Sequence, residues 1–141
     1  MCECHAGAKI CSEVLFYQSV FSKFNFSYIH FLKIQDITLE LKKSIFTCCV
    51  NVYNLILRNI SLHRLCIDLK LSAFRDFKFL TFLEIYENGI RTMNKKCFRR
   101  LKSLVHLKMI RCEIKNVNFN TFSGLTSLKS FNIHVCNVEI A

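Results

Sequence analysis

The residues best suited to chemistry stand at the start of the chain: Cys2, Cys4, His5 and Cys11. Thiolates and imidazoles hold zinc, but such sites normally separate paired cysteines by two residues and place a second ligand pair further on. Cys2 and Cys4 have one residue between them, and no second pair follows in order. The four therefore do not read as a metal site. Nor does any Cys stand with a His and an acid in a pattern that would activate a thiol. With three Gly in 141 residues, the chain has no Gly-rich phosphate loop, no paired-His motif and no nucleophile elbow. No enzymatic activity, metal or cofactor is expected.

Charge and carbohydrate are the other chemistries on offer. The net charge is +10, and much of the excess lies in one block. Arg91, Lys95, Lys96, Arg99, Arg100, Lys102, Lys108, Arg111 and Lys115 face only Glu113 over 91–115. Such a block can attract a polyanion, whether nucleic acid, a heparin-like polymer or acidic lipid. It can equally be the solvated outer face of a fold. Asn25-Phe26-Ser27 and Asn59-Ile60-Ser61 are acceptors for N-linked glycans.

What must position these groups is a repeat. FKFLTFLEIYENGIRTMNKKCFRR at 77–100 and LKSLVHLKMIRCEIKNVNFNTFSG at 101–124 are two copies of one 24-residue pattern. Counted from 1 within each copy, apolar residues recur at places 1, 4, 7, 9, 14, 17 and 22, and place 12 holds Asn88 and then Cys112. L-x-x-L-x-L-x-x-N/C-x-L inside that period is the signature of a leucine-rich repeat. Leu-x-Leu at places 7 and 9 has period two, so it predicts a short strand with alternate side chains inward. No single coil can bury its apolar residues; stacking on neighbours makes the core continuous. Phe at place 22 would fill the far end of that core, and the place-12 residue would bond main-chain groups of adjacent coils.

The expected fold is an α/β leucine-rich-repeat solenoid, with short parallel strands on a concave face and a mostly irregular convex side. Strands are predicted near 31–35, 54–58, 82–86, 106–110 and 130–134, in repeats 26–48, 49–76, 77–100, 101–124 and 125–141. Ile37 and Ile60 replace the polar residue at place 12 in the first two, and the second has an insertion around Asp68–Ser72. A chain this long is one domain by length, and 52% hydrophobic residues exclude a disordered one. No run reaches the roughly 18 apolar residues of a membrane helix. Ile45–Leu57 is interrupted by Thr47, Asn51 and Asn54, and the first residues do not read as a signal peptide.

The repeat resembles the type found in Toll-like receptors and related extracellular recognition proteins, over roughly 26–141. Residues 1–25 resemble the tail of the cysteine-rich N-terminal cap of such proteins. That resemblance implies a disulfide between Cys2 and Cys11 and leaves Cys4 without its partner; Val14-Leu15-Phe16 and Val20-Phe21 would form the cap strand. It implies binding of protein, lipid or nucleic-acid ligands, a protein ligand or co-receptor foremost, without catalytic activity; with the acceptor triplets at Asn25 and Asn59 it points to a secreted or membrane-anchored ectodomain. The alternative is a cytoplasmic adaptor with reduced cysteines, using the same face. That face would carry Phe82, Glu84, Tyr86, Glu87, His106, Lys108, Ile110, Arg111, Asn132 and His134. Cys112 and Cys136 occupy the ladder place as thiols, while Cys48, Cys49, Cys66 and Cys97 have no assigned role. The last repeat stops without capping cysteines, so an exposed apolar end favouring self-association is also expected.

Overall fold

A computed structural model describes residues 2–5, 8–12, 29–37, 49–60, 74–87, 89–90, 97–134 and 136–140. Among these described residues ten strands lie in two sheets. The larger contains β1 (Cys2–His5), β2 (Ala8–Ser12), β3 (Phe31–Ile37), β4 (Asn54–Ile60), β5 (Phe82–Tyr86), β7 (His106–Ile110) and β9 (Ser130–His134). Its order is β1-β2-β3-β4-β5-β7-β9. β1 and β2 form an antiparallel hairpin, and every later pair is parallel. The smaller sheet is parallel and holds β6 (Gly89–Ile90), β8 (Glu113–Val117) and β10 (Asn137–Ile140).

Each of the five expected strands is present, and their register is that of the repeat. Phe31, Asn54, Phe82, His106 and Ser130 are successive partners at the first position. Alternation then sends Leu32, Leu55, Leu83 and Leu107 inward, followed by Ile34, Leu57, Ile85 and Met109, all fully buried. Behind them the chain turns at Phe74, Phe98 and Phe122, whose rings form a continuous stack. The centroids are 5.6 Å apart from Phe74 to Phe98 and 5.8 Å from Phe98 to Phe122. One apolar cluster therefore runs through the described repeats. Cys49 joins it at a place where the next repeats have Phe77, Leu101 and Leu125, which gives that cysteine a packing role.

Backbone hydrogen bonds repeat with the same period. The carbonyls of His30, Tyr53, Thr81 and Val105 each accept two N–H groups from the following repeat, at 2.8–3.0 Å. At the strand exits a second device recurs. Asp36, Asn59, Glu87 and Arg111 have φ of 53°, 45°, 52° and 51°, the left-handed region. All four occupy place 11 of their repeats. One residue further on lies the sulfur ladder. The Cys112 thiol donates to the Ile85 carbonyl at 3.4 Å, and the Cys136 thiol donates to Met109 O at 3.2 Å. Each thus satisfies a main-chain acceptor of the preceding strand, as the place-12 argument requires. Asn88 and the insertion at Asp68–Ser72 lie outside the described residues.

The structure departs from the sequence expectation at three points. Where the return segments are expected to be mostly irregular, those described carry β6, β8 and β10, plus a 3-10 turn at Phe119–Thr121 capped by the Asn118 side chain. Residues 113–117 and 137–140 include the β-branched Ile114, Val117, Val138 and Ile140, which suit a strand once a parallel neighbour is available. Second, β3 and β4 run on to Ile37 and Ile60, which pair with each other beyond the left-handed residues. β-branched Ile at the ladder place continues the sheet where Cys turns away from it. Third, the strand that pairs with β3 is β2, at Ala8–Ser12. The cap strand expected over Val14–Phe21 lies outside the described residues, as does Phe46.

Candidate functional site

On the face of the main sheet opposite the core, the outward residues of β3 to β9 form rows across the strands. Phe82 and His106 are register partners with rings 6.4 Å apart. The Lys108 ammonium lies 5.5 Å from the Phe82 ring centroid, and Glu84 is its register partner. In the last row Tyr86 pairs with Arg58 on one side and Ile110 on the other. The Arg58 guanidinium carbon stands over the Tyr86 ring at 4.6 Å, and that of Arg111 at 5.8 Å. Both lie within the roughly 6 Å over which a cation feels a ring's quadrupole.

The line of left-handed residues bounds this face. A left-handed residue ends the strict alternation, so its side chain is carried to the rim of the sheet and not through it. There Asn59 Nδ2 donates to Asp36 Oδ1 at 2.9 Å, and Arg111 Nη1 donates to Glu87 Oε1 at 3.2 Å. Arg58 Nε lies 3.8 Å from the other Glu87 oxygen, an ion pair without hydrogen-bond geometry. These side chains are between a third and three-fifths exposed, so each pair contributes at most about 1 kcal/mol. Their effect is geometric. One carboxylate and one ring at the end of β5 hold two arginines, from the strands on either side of it, at a single spot.

The ten expected face residues therefore share one side of the sheet or its rim, and six of them fall into two contacting groups. Tyr86, Glu87 and Arg111 form one, and Phe82, His106 and Lys108 the other. Glu84 and Ile110 are half-buried between strands, while Asn132 and His134 stand exposed on β9 as register partners of Lys108 and Ile110. Arg58 completes the first group without being on the expected list. Its signal is register, since it occupies place 10 of its repeat as Tyr86 does of the next.

Among the described residues the basic block is split between two places. Arg99, Arg100 and Lys102 are exposed on the turns behind the sheet, where Lys102 Nζ donates to the Gly124 carbonyl at 3.2 Å. Lys108 and Arg111 lie on the sheet face and its rim. Arg91, Lys95 and Lys96 lie outside the described residues, as does the acceptor Asn25. Asn59 is exposed at the rim.

Cys49, Cys112 and Cys136 are thiols, and buried Cys97 is disulfide-bonded. In the β1–β2 hairpin, Cys2 and Cys11 are direct cross-strand partners. Such partners have Cα atoms about 4.5–5.5 Å apart, within the range a disulfide spans. Cys48 and Cys66 lie outside the described residues. Among the described residues no three His, Cys, Asp or Glu are grouped as a metal site, and no helix is long and apolar enough to cross a membrane. No protein-family model and no curated protein matches the chain.

Proposed function

We propose that this chain is a leucine-rich-repeat solenoid acting as a non-enzymatic recognition module, part of a receptor or adhesion ectodomain of Toll-like type. Its ligand is a protein, bound on the concave face of the main sheet. The observation that carries the reading is the group Arg58, Tyr86, Glu87 and Arg111: arginine and aromatic side chains held at one exposed spot by neighbouring strands. Tyr and Arg are the residue types that dominate binding energy at protein interfaces, because a rigid ring and a pre-set guanidinium lose little freedom when covered.

Three observations support the extracellular setting. Cys97 is disulfide-bonded, and structural disulfides persist in oxidising compartments. Cys2 faces Cys11 across a hairpin. Asn59, a glycan acceptor by sequence, is exposed at the rim. A glycan there would crowd the β4 end of the face and favour ligand approach over β5, β7 and β9.

The test is selection of displayed random peptides on the whole chain, followed by mapping with paired variants. Binding by selected clones should fall with Tyr86→Ala plus Arg111→Glu and persist with Arg99→Glu plus Arg100→Glu on the turns. Loss only with the second pair would move recognition to the basic turns and overturn the reading. Thiol labelling before and after reduction tests the setting: Cys2 and Cys11 labelled only after reduction would support an ectodomain.

A further inference from the structure

Resting on that reading of the sheet face, we propose that its ligand is an acidic peptide segment, whose carboxylate is taken between Arg58 and Arg111 over the edge of Tyr86. The face carries a mismatch in charge. Two guanidinium groups, one on β4 and one just past β7, flank β5 and share one carboxylate, Glu87, which accepts one hydrogen bond from Arg111 and stands 3.8 Å from Arg58. A guanidinium carries five N–H donors in a planar fork. Among the described residues, Arg58 uses none of them in a hydrogen bond and Arg111 uses one. Both groups lie over the same ring, at 4.6 and 5.8 Å, so both cations are already placed when a ligand arrives. A second carboxylate would complete the forks in the bidentate manner that arginine favours.

The surroundings select a peptide over a continuous polyanion. Glu84 stands one row away and Glu87 lies within the group itself, so a polymer with charge at every unit would be laid across two carboxylates. The cations that the sequence puts together over 99–111 are split between the turns and the sheet, which denies such a polymer a track. Phe82 and Tyr86 add ring surface beside the cations, suited to apolar side chains flanking an acidic one. Glu87 then acts as a resident counter-ion. It holds the arginines in place and repels the ligand's charge, so it sets affinity from the unfavourable side.

The experiment titrates the whole chain with two fluorescent dodecapeptides, one alternating Glu with Leu and its Gln-for-Glu twin, beside a heparin oligosaccharide. The Glu peptide should bind about tenfold tighter than its twin, with the difference shrinking as salt rises. Glu87→Gln should tighten the Glu peptide several-fold and leave the twin unchanged, a gain that misfolding cannot produce. Arg58→Gln plus Arg111→Gln should abolish the difference between the twins. Equal binding of the twins, weaker Glu-peptide binding in Glu87→Gln, or binding of heparin alone would each overturn the proposal. Selected clones that map to the face without enrichment in Asp or Glu would overturn it while leaving the recognition face intact. An absence of face-mapped clones would remove both.

Discussion

Leu107 and Phe131 stand at the same place in successive repeats, as Cα partners on β7 and β9, yet the first is fully buried and the second is 42% exposed. Met109 and Ile133 repeat the contrast, at 0% and 43%, and Ile114 and Val138 do so in the small sheet, at 1% and 40%. The residue types are alike and the local backbone is alike. What differs is a neighbour on the far side, since β9 and β10 are edge strands among the described residues. Burial in this architecture belongs to the interface between repeats and not to the repeat, as expected where stability is a sum of nearest-neighbour terms.

The sharpest way to break this comparison is to truncate both members. Leu107→Ala should lower unfolding free energy by about 2–5 kcal/mol, the usual range for a buried Leu that leaves a cavity. Phe131→Ala should lower it by roughly 1 kcal/mol, the worth of its contact with the Phe122 ring at 4.7 Å. Equal losses in chemical denaturation would mean that the last repeat is covered and that burial follows residue type after all. A second test adds an atom where two repeats touch. A Cβ on Gly124 would lie 2.5 Å from the Arg99 Cα, so backbone must shift. Gly124→Ala should therefore destabilise by about 1–3 kcal/mol, the range for overpacking, although alanine normally favours folding by stiffening the unfolded chain. The smallest effect belongs to the surface. Lys102→Ala, which removes one part-buried bond to Gly124, should change stability by less than roughly 0.5 kcal/mol. A larger loss would show that the turns behind the sheet are fastened by side chains as well as by packing.

Leu-x-Leu spacing made the five parallel strands legible, because inward residues at period two admit one register only. The same spacing carried the face residues, whose rows follow from it. Arg58 follows from the identical spacing, one repeat before the expected face residues begin. The hairpin at Cys2–Ser12 was harder. Its strands are four and five residues long, and the turn signal between them is the single Gly7. The small sheet was illegible for a different reason: Glu113–Val117 alternates poorly and becomes a strand only with the repeats before and after it in place. Nor do Glu87 and Arg111 announce a left-handed turn, since neither residue type prefers one.

That rim line has a consequence for how the sequence can drift. Asp36 and Asn59 belong to the types that adopt a left-handed backbone with least strain, whereas Glu87 and Arg111 hold the same φ against their preference. Under selection for thermal endurance alone, codons at 87 and 111 should migrate toward Asn or Gly, and those at 36 and 59 should stay. Under selection for capture of a ligand, the two charged residues should persist despite the strain. The rim thus offers four backbone-equivalent sites, two indifferent to the choice of selection and two that report it.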